Sequence, residues 1–276
     1  MPIKGVDGCS IFYEVNGKGI PVMFVHPPVL SSVTFTYQVD ELSKTMQTII
    51  FDIRGHGKSG SSRKTLTYPL IVEDMRHLLD ELQIDKVFLC GYSTGASIVL
   101  EFLLTHPERA LGSVLVGALS EVRDSSLKRK ISLAAMCAKI SAVKLLAFYV
   151  TWSNSDNPKL FWKAFQEAGK GNAKNIEEYY RSSLKYNCTA RLPEIKNPVL
   201  LVYGAKDHGF HPYARLALKN LPHSQLVFVP DVKHQIPTKA ANELNLLIKN
   251  FVVQTMERSS ANATSLRVIF PPIVPQ

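Results

Sequence analysis

The chain has little cysteine, few acidic residues for its basic ones, and no long apolar run. Its 276 residues include four cysteines, Cys9, Cys90, Cys137 and Cys188, with no CxxC or other metal-ligand spacing among them. Scattered singly in a chain this long, they argue against a disulfide framework and read as buried thiols of a reducing, cytoplasmic compartment. Residues 1–10 contain no apolar segment of the signal-peptide kind. The most apolar stretch, 131–150, is interrupted by Lys139 and Lys144 and falls short of a membrane span. Neither a Rossmann nor a P-loop glycine pattern occurs, and no His, Cys or Asp cluster has metal spacing, so no cofactor and no metal are expected.

The acidic deficit is 23 Asp+Glu against 32 Lys+Arg, a formal net charge of +9. Such a balance raises nucleic acid, an anionic membrane surface or an acidic small molecule as partners. No nucleic-acid motif accompanies the charge, and the charge is uneven. Residues 121–195 hold 13 basic and 7 acidic side chains, a net +6, which leaves +3 for the rest of the chain. A solvated helix face is the ordinary account of a run such as Lys128-Arg129-Lys130. The alternative is a segment that steers an anionic substrate or rests on an anionic surface. With 46% hydrophobic residues the chain can bury a core and is not a disordered polymer.

What is present is alternation of strand and helix. Residues 10–15 and 21–25 read as strands joined by the turn Asn16-Gly17-Lys18-Gly19, and 48–52 reads as a short apolar strand. Ile71, Val72, Met75, Leu78, Leu79 and Leu82 recur at helical spacing, which predicts an amphipathic helix over 68–82. Short buried strands follow at 87–90 and 113–116, with an apolar helix over 95–105 that stops at His106-Pro107. From 121 to 195 only helical periods appear. Strand and helix then alternate again: strand 199–203, helix 212–221, strand 225–229, helix 239–253. The chain therefore divides into a core segment 1–120, a helical insert 121–195, a second core segment 196–255 and a tail 256–276 of no legible structure.

Gly91-Tyr92-Ser93-Thr94-Gly95 is a G-x-S-x-G motif with a strand running in and a helix running out. That setting is a nucleophile elbow, in which a strained turn lifts a serine hydroxyl above the sheet and the helix N-terminus faces the reacting oxygen. Glycines flank the serine because strand and helix approach too closely for a β-carbon. A serine needs a base, and the base a group to orient it. His234 follows the last strand and Asp207 follows the strand before it, so both lie at the sheet edge where Ser93 emerges. His208, His211 and His223 are the other histidines nearby, and Glu121 and Asp124 are the alternative acids. His56, in the glycine-rich turn after the third strand, reads as a packing and capping residue. His26 opens the loop expected to carry an oxyanion donor and reads chiefly as a brace for neighbouring turns, with substrate contact the alternative.

Taken together, His26-Pro27, Asp52-x-Arg54-Gly55-x-Gly57-x-Ser59, the serine motif, His106-Pro107-Glu108-Arg109, Gly204-x-x-Asp207 and His234 resemble the α/β-hydrolase superfamily over about residues 5–254. The likeness is closest to compact, cap-bearing bacterial members of esterase and proline-iminopeptidase-like type. It implies a mostly parallel central sheet flanked by helices, with 121–195 as an inserted helical cap. It also implies Ser93 as nucleophile, His234 as general base then acid, Asp207 as orienting carboxylate, and the Thr94 N–H as one oxyanion donor. The chain departs from the family at Pro27-Pro28, where neither residue has an N–H to donate. Val29 is then expected to supply the second donor, with the Ser31 side chain or a half-built hole as alternatives. Lys233 stands where glycine usually precedes the histidine.

The insert carries Phe148, Tyr149, Trp152, Phe161, Trp162 and Phe165. We expect Trp152, Phe148 and Phe161, with Tyr92 and His26, to shape a pocket for an apolar acyl or alcohol moiety. The expected activity is cofactor-free hydrolysis of a small-molecule ester or related acyl bond by a serine hydrolase. Rival readings are a ligand receptor or slowly turning hydrolase on the same fold, and a perhydrolase. Nucleic acid is not an expected partner, and oligomeric state is left open.

Overall fold

The computed structural model describes residues 2–4 and 7–265, with side chains described over 7–258. Its strands are β1 (Pro2–Lys4), β2 (Ser10–Asn16), β3 (Pro21–Val25), β4 (Gln47–Phe51), β5 (Val87–Tyr92), β6 (Ala110–Val116), β7 (Val199–Gly204) and β8 (Ser224–Val229). They form one sheet in the order β1-β2-β4-β3-β5-β6-β7-β8. The pairs from β4 to β8 are parallel, and β2 is antiparallel to β4. From β3 the chain steps outward to β4, then returns past β3 to β5 and proceeds the other way. The reversal opens a crevice between the C-terminal ends of β3 and β5, where ligands bind in open parallel sheets.

Strand alternation divides the interior into two layers. Met23, Val25, Val87 and Leu89 face one side, packing against α2 (Tyr68–Glu81), α3 (Thr94–Thr105) and α8 (His211–Asn220). Val22, Phe24, Phe88 and Cys90 face the other, against α1 (Thr36–Leu42), α9 (Ile236–Lys239) and α10 (Ala241–Ser265). Each fully buried aliphatic or phenyl side chain contributes about 1.5–3 kcal/mol relative to exposure. The parallel strands β5 and β7 are buried along their whole length, as their unbroken apolar runs require.

Between β6 and β7 lie α4 (Ser125–Lys139), α5 (Val143–Asn154), α6 (Pro158–Ala168) and α7 (Ala173–Lys185). Side chains of Asp124, Asn157 and Asn172 cap α4, α6 and α7 by accepting from first-turn N–H groups, which sets where each helix begins. The insert has its own core, in which Ile131, Ala138, Ala147 and Tyr180 pack with Val29 and Leu119 from the sheet edge.

Several expectations are corrected. Two cysteines, Cys90 and Cys188, are buried, but Cys9 and Cys137 are half-buried; all four are free thiols. Helix α1 has almost no apolar period, and its buried positions include the polar Gln38, so periodicity gives no sign of it. Helix α10 continues to Ser265 instead of ending at 253; residues 266–276 of the tail lie outside the described residues. Among the described residues, no helix is long and apolar enough to cross a membrane.

Candidate active site

Strand β5 continues through Gly91 and Tyr92 and stops at Ser93, whose φ is +54°. That conformation costs an L-residue on the order of 1–3 kcal/mol and persists only where the surroundings hold it. The Ser93 N–H donates to the Val116 carbonyl at 2.8 Å, and the Ser93 carbonyl accepts from the Ala96 N–H at 2.9 Å. A β-carbon on Gly91 would lie 2.5 Å from Ala96 Cα, a clash within the elbow itself. On Gly95 it would lie 2.2 Å from the Val25 carbonyl oxygen, so this glycine lets α3 press against β3. The two glycines serve different contacts.

Asp207 and His234 arrive on loops stitched together by backbone bonds. The Ala205 N–H donates to Val229 and the Lys206 N–H to Val232, at 2.8 and 3.0 Å. The close approach requires Gly204, where a β-carbon would sit 2.1 Å from the Lys233 carbonyl oxygen. His234 Nδ1 is 2.9 Å from Asp207 Oδ2, and its Nε2 is 2.9 Å from Ser93 Oγ. With a carboxylate beside it, Nδ1 carries the proton and donates, which leaves Nε2 free to accept from the Ser93 hydroxyl. The alternative acids lie elsewhere in the hydrogen-bond pattern: Asp124 caps α4, and Glu121 accepts from Asn187.

The loop after β3 is braced from beneath. His26 is completely buried; its Nε2 accepts from the Ile53 N–H at 2.9 Å and its Nδ1 donates to the Pro27 carbonyl at 2.9 Å. Burial drives its imidazole down to about 4, against which the Pro27 bond acts only weakly, so the ring is neutral. His56 is buried too and donates from Nδ1 to the Arg54 carbonyl; burial, then His26, takes it down to about 3. Tyr179 of α7 donates to the His26 carbonyl at 3.0 Å. Asp52 accepts from the Ser32 and Lys58 N–H groups, each at 2.8 Å, tying this loop to the glycine-rich turn. Above the brace, Val29 stands at φ +71°, an unusual conformation for a β-branched residue.

A cleft of about 370 Å³ opens over these groups. Pro27, Leu30, Tyr92, Ser93 and Thr94 form its floor, with Leu127, Ile131 and Val150 above. Tyr92 donates to Asn154 Oδ1 at 2.8 Å, linking the elbow to the end of α5. Burial and the charge of Asp207 raise its phenol, which therefore stays protonated. A larger hollow beside Lys196, His223 and Arg258 lies at the opposite edge, where β7 and β8 begin.

The cap aromatics are corrected. Phe148, Trp152 and Phe161 do not line the cleft; they pack on one another, Phe148 and Trp152 exposed on the outer side of the insert and Phe161 buried against them. Phe148 stacks on Trp152 at 6.3 Å, and Phe161 meets Trp152 edge-on at 5.5 Å. Helical spacing tells which side chains share a face and not whether that face turns inward. His26, likewise, has both ring nitrogens engaged in the brace and does not line the cleft. The Val29 and Leu30 side chains are both buried, and Leu30 borders the cleft. Two neighbours of His234 have no motif to announce them. The Phe210 ring lies 4.2 Å from the imidazole, and Gly117 leaves room for it, since a β-carbon there would be 2.7 Å from His234 Cε1.

Residues 20–237 match a family model described as the alpha/beta hydrolase fold. The chain belongs to this family. It is 25% identical over 258 residues to the serine hydrolase BPHL of Homo sapiens, covering 90% of this chain and 84% of that one. Another likeness is local: a probable proline iminopeptidase of Leptolyngbya boryana is 36% identical over 122 residues, 42% of this chain and 37% of that one. The chain spans about two fifths of the length of several curated relatives that it matches. An esterase from Thermogutta terrifontis superposes with a TM-score of 0.79 at 20% identity, covering 92% of this chain and 98% of that one, a likeness of fold. Membership of the family supports hydrolase activity.

Proposed function

We propose that this α/β-hydrolase is a serine hydrolase that cleaves a small-molecule carboxylic ester or related acyl bond through an acyl-enzyme. The observation that carries the reading is the continuous Asp207–His234–Ser93 hydrogen-bond chain, 2.9 Å at each link, ending on a serine with a left-handed backbone. Ser93 Oγ attacks the carbonyl carbon as His234 Nε2 takes its proton. The same nitrogen returns that proton to the leaving alcohol, and Asp207 stays ionised to hold the imidazolium in place. Water then attacks the acyl-enzyme, giving its proton to His234, and the acid departs with Ser93 restored.

Oxyanion stabilisation falls to backbone. Helix α3 begins at Thr94, so the Thr94 N–H has no carbonyl one turn back to bond. Val29 is the second donor in this reading, its positive φ turning the peptide after Pro28 away from the extended path. The apolar walls Leu119, Leu127, Ile131 and Val150 favour an acyl or alcohol group of hydrocarbon character. A cytoplasmic setting fits the free thiols.

Steady release of p-nitrophenol from short and medium acyl esters, abolished by Ser93→Ala, is the expected result. Pro27-Pro28 favours a second reading, a receptor or slow hydrolase with one donor missing. For that reading a burst of one equivalent, followed by near-silence, is the distinguishing trace.

A further inference from the structure

Twelve large apolar side chains are exposed among the described residues; seven of them sit on α4, α5 and α6, and an eighth, Ile140, caps the end of α4. On α4 and its C-cap they are Leu133, Met136 and Ile140, spaced to share one face. On α5 they are Leu145, Phe148, Tyr149 and Trp152, at i, i+3, i+4 and i+7. Trp162 of α6 joins the second group through Phe161, whose ring lies 5.1 Å from Trp162 and 5.4 Å from Phe148. Both tryptophans of the chain are therefore on one outer surface, each more than half exposed, with Tyr149 73% exposed beside them. A soluble surface rarely leaves so large an apolar patch uncovered without a partner.

The charge around this patch identifies the partner. From residue 125 to residue 155 there is no acidic side chain, and five basic ones: Lys128, Arg129, Lys139 and Lys144, with Lys130 at the cleft. All five are exposed, and among the described residues none is in a salt bridge, whereas Arg123 just before them faces Glu121 at 3.6 Å. Lys159 and Lys163 flank Trp162 in sequence and are exposed as well. Aromatic rings with an apolar body and a polar edge, beside lysines whose stems are apolar and whose heads are charged, suit the boundary between lipid tails and headgroups. A second copy of the chain suits it poorly, because a two-fold contact would set these cations against themselves.

We propose that the outer face of α4–α6 docks on an anionic phospholipid surface. The aromatic and aliphatic side chains enter the headgroup boundary and the lysines lie against lipid phosphate. Opposite sides of the same helices bear on the cleft: Leu127, Lys130 and Ile131 of α4 and Val150 and Asn154 of α5 line it. Binding requires no turnover, so it is testable whether or not the hydrolase reading holds.

The full chain is sedimented with vesicles of phosphatidylcholine alone and with vesicles about one third phosphatidylglycerol, where binding at least about tenfold tighter to the anionic set is expected. Lys139→Glu with Lys144→Glu should remove that preference, and Leu145→Ser with Tyr149→Ser should weaken binding to the anionic vesicles about tenfold or more. These side chains are exposed, so unchanged melting curves certify that the variants are folded. Equal binding to both vesicle types, no binding to either, or a dimer in solution that the Leu145→Ser/Tyr149→Ser variant dissolves would each overturn the proposal.

Discussion

Replacing Gly117 with alanine should damage catalysis more than it damages the fold. The residue follows β6 at φ +58°, its N–H donating to the Val202 carbonyl at 2.8 Å. A left-handed backbone costs alanine roughly 1–2 kcal/mol that glycine does not lose. In addition, the new β-carbon would lie 2.7 Å from His234 Cε1 and 3.0 Å from Nδ1. Carbon atoms rest about 3.5–4.0 Å apart, so the imidazole has to retreat on the order of 1 Å. A displacement of that size opens the 2.9 Å contact with Ser93 Oγ, and misplacement on this scale costs about 10² in rate. The expected outcome is a kcat about a hundredfold lower on p-nitrophenyl butyrate with KM little changed, because Gly117 does not line the cleft. The melting temperature should drop by only about 3–8 °C. Gly8→Ala is the control: φ there is +77° and nothing stands within 4 Å of the added carbon, so strain appears without loss of activity. Wild-type kcat in the Gly117→Ala enzyme would refute the placement of His234.

Acid should destabilise the protein earlier than its carboxylates alone require. His26 and His56 are held neutral in the folded chain, at about 4 and about 3, while the unfolded chain protonates both near 6.5. The unfolded state therefore binds more protons as pH falls from about 6.5, and stability present above that value is lost progressively down to about 4, on the order of 3 kcal/mol for His26. Urea midpoints measured from pH 7.5 to 4.5 should decline, and imidazole resonances of the two residues should not titrate above pH 5; a flat midpoint contradicts the burial. Tyr92→Phe removes the donor to Asn154 Oδ1, which should cost about 1 kcal/mol of stability and raise KM more than it lowers kcat as α5 loosens over the cleft. Unchanged KM and melting temperature would mean that this bond does not hold the helix in place.

Much of the site was legible because its chemistry is local to strand ends. The serine sits at the end of an apolar run, and Asp207 and His234 follow two further apolar runs, so a parallel sheet places all three at one edge before any contact is known. Their mutual distances were not legible, since those depend on the loop after β7 meeting the loop after β8 at Gly204. Gly117 and Phe210 escaped notice because each acts through a neighbour distant in sequence, with no motif of its own. The cap shows the same limit from the other side. Phe148, Trp152 and Phe161 lie on helices that sequence periodicity identifies, yet four cap helices offer several ways to bury an apolar stripe. Here Ile131, Ala138 and Ala147 took the inner positions, leaving Trp152 66% exposed. Helix α10 extends past the point where its apolar spacing fades, through Gln254, Met256, Glu257 and Arg258, which are good helix formers.

The central claim is that Ser93 is an activated nucleophile. Incubation of the folded protein with a fluorophosphonate probe, followed by peptide mass spectrometry, tests it most directly. One adduct per chain is expected, on Ser93, absent in Ser93→Ala and strongly slowed in His234→Ala. Protein that is folded by circular dichroism yet carries no label on Ser93 would contradict it.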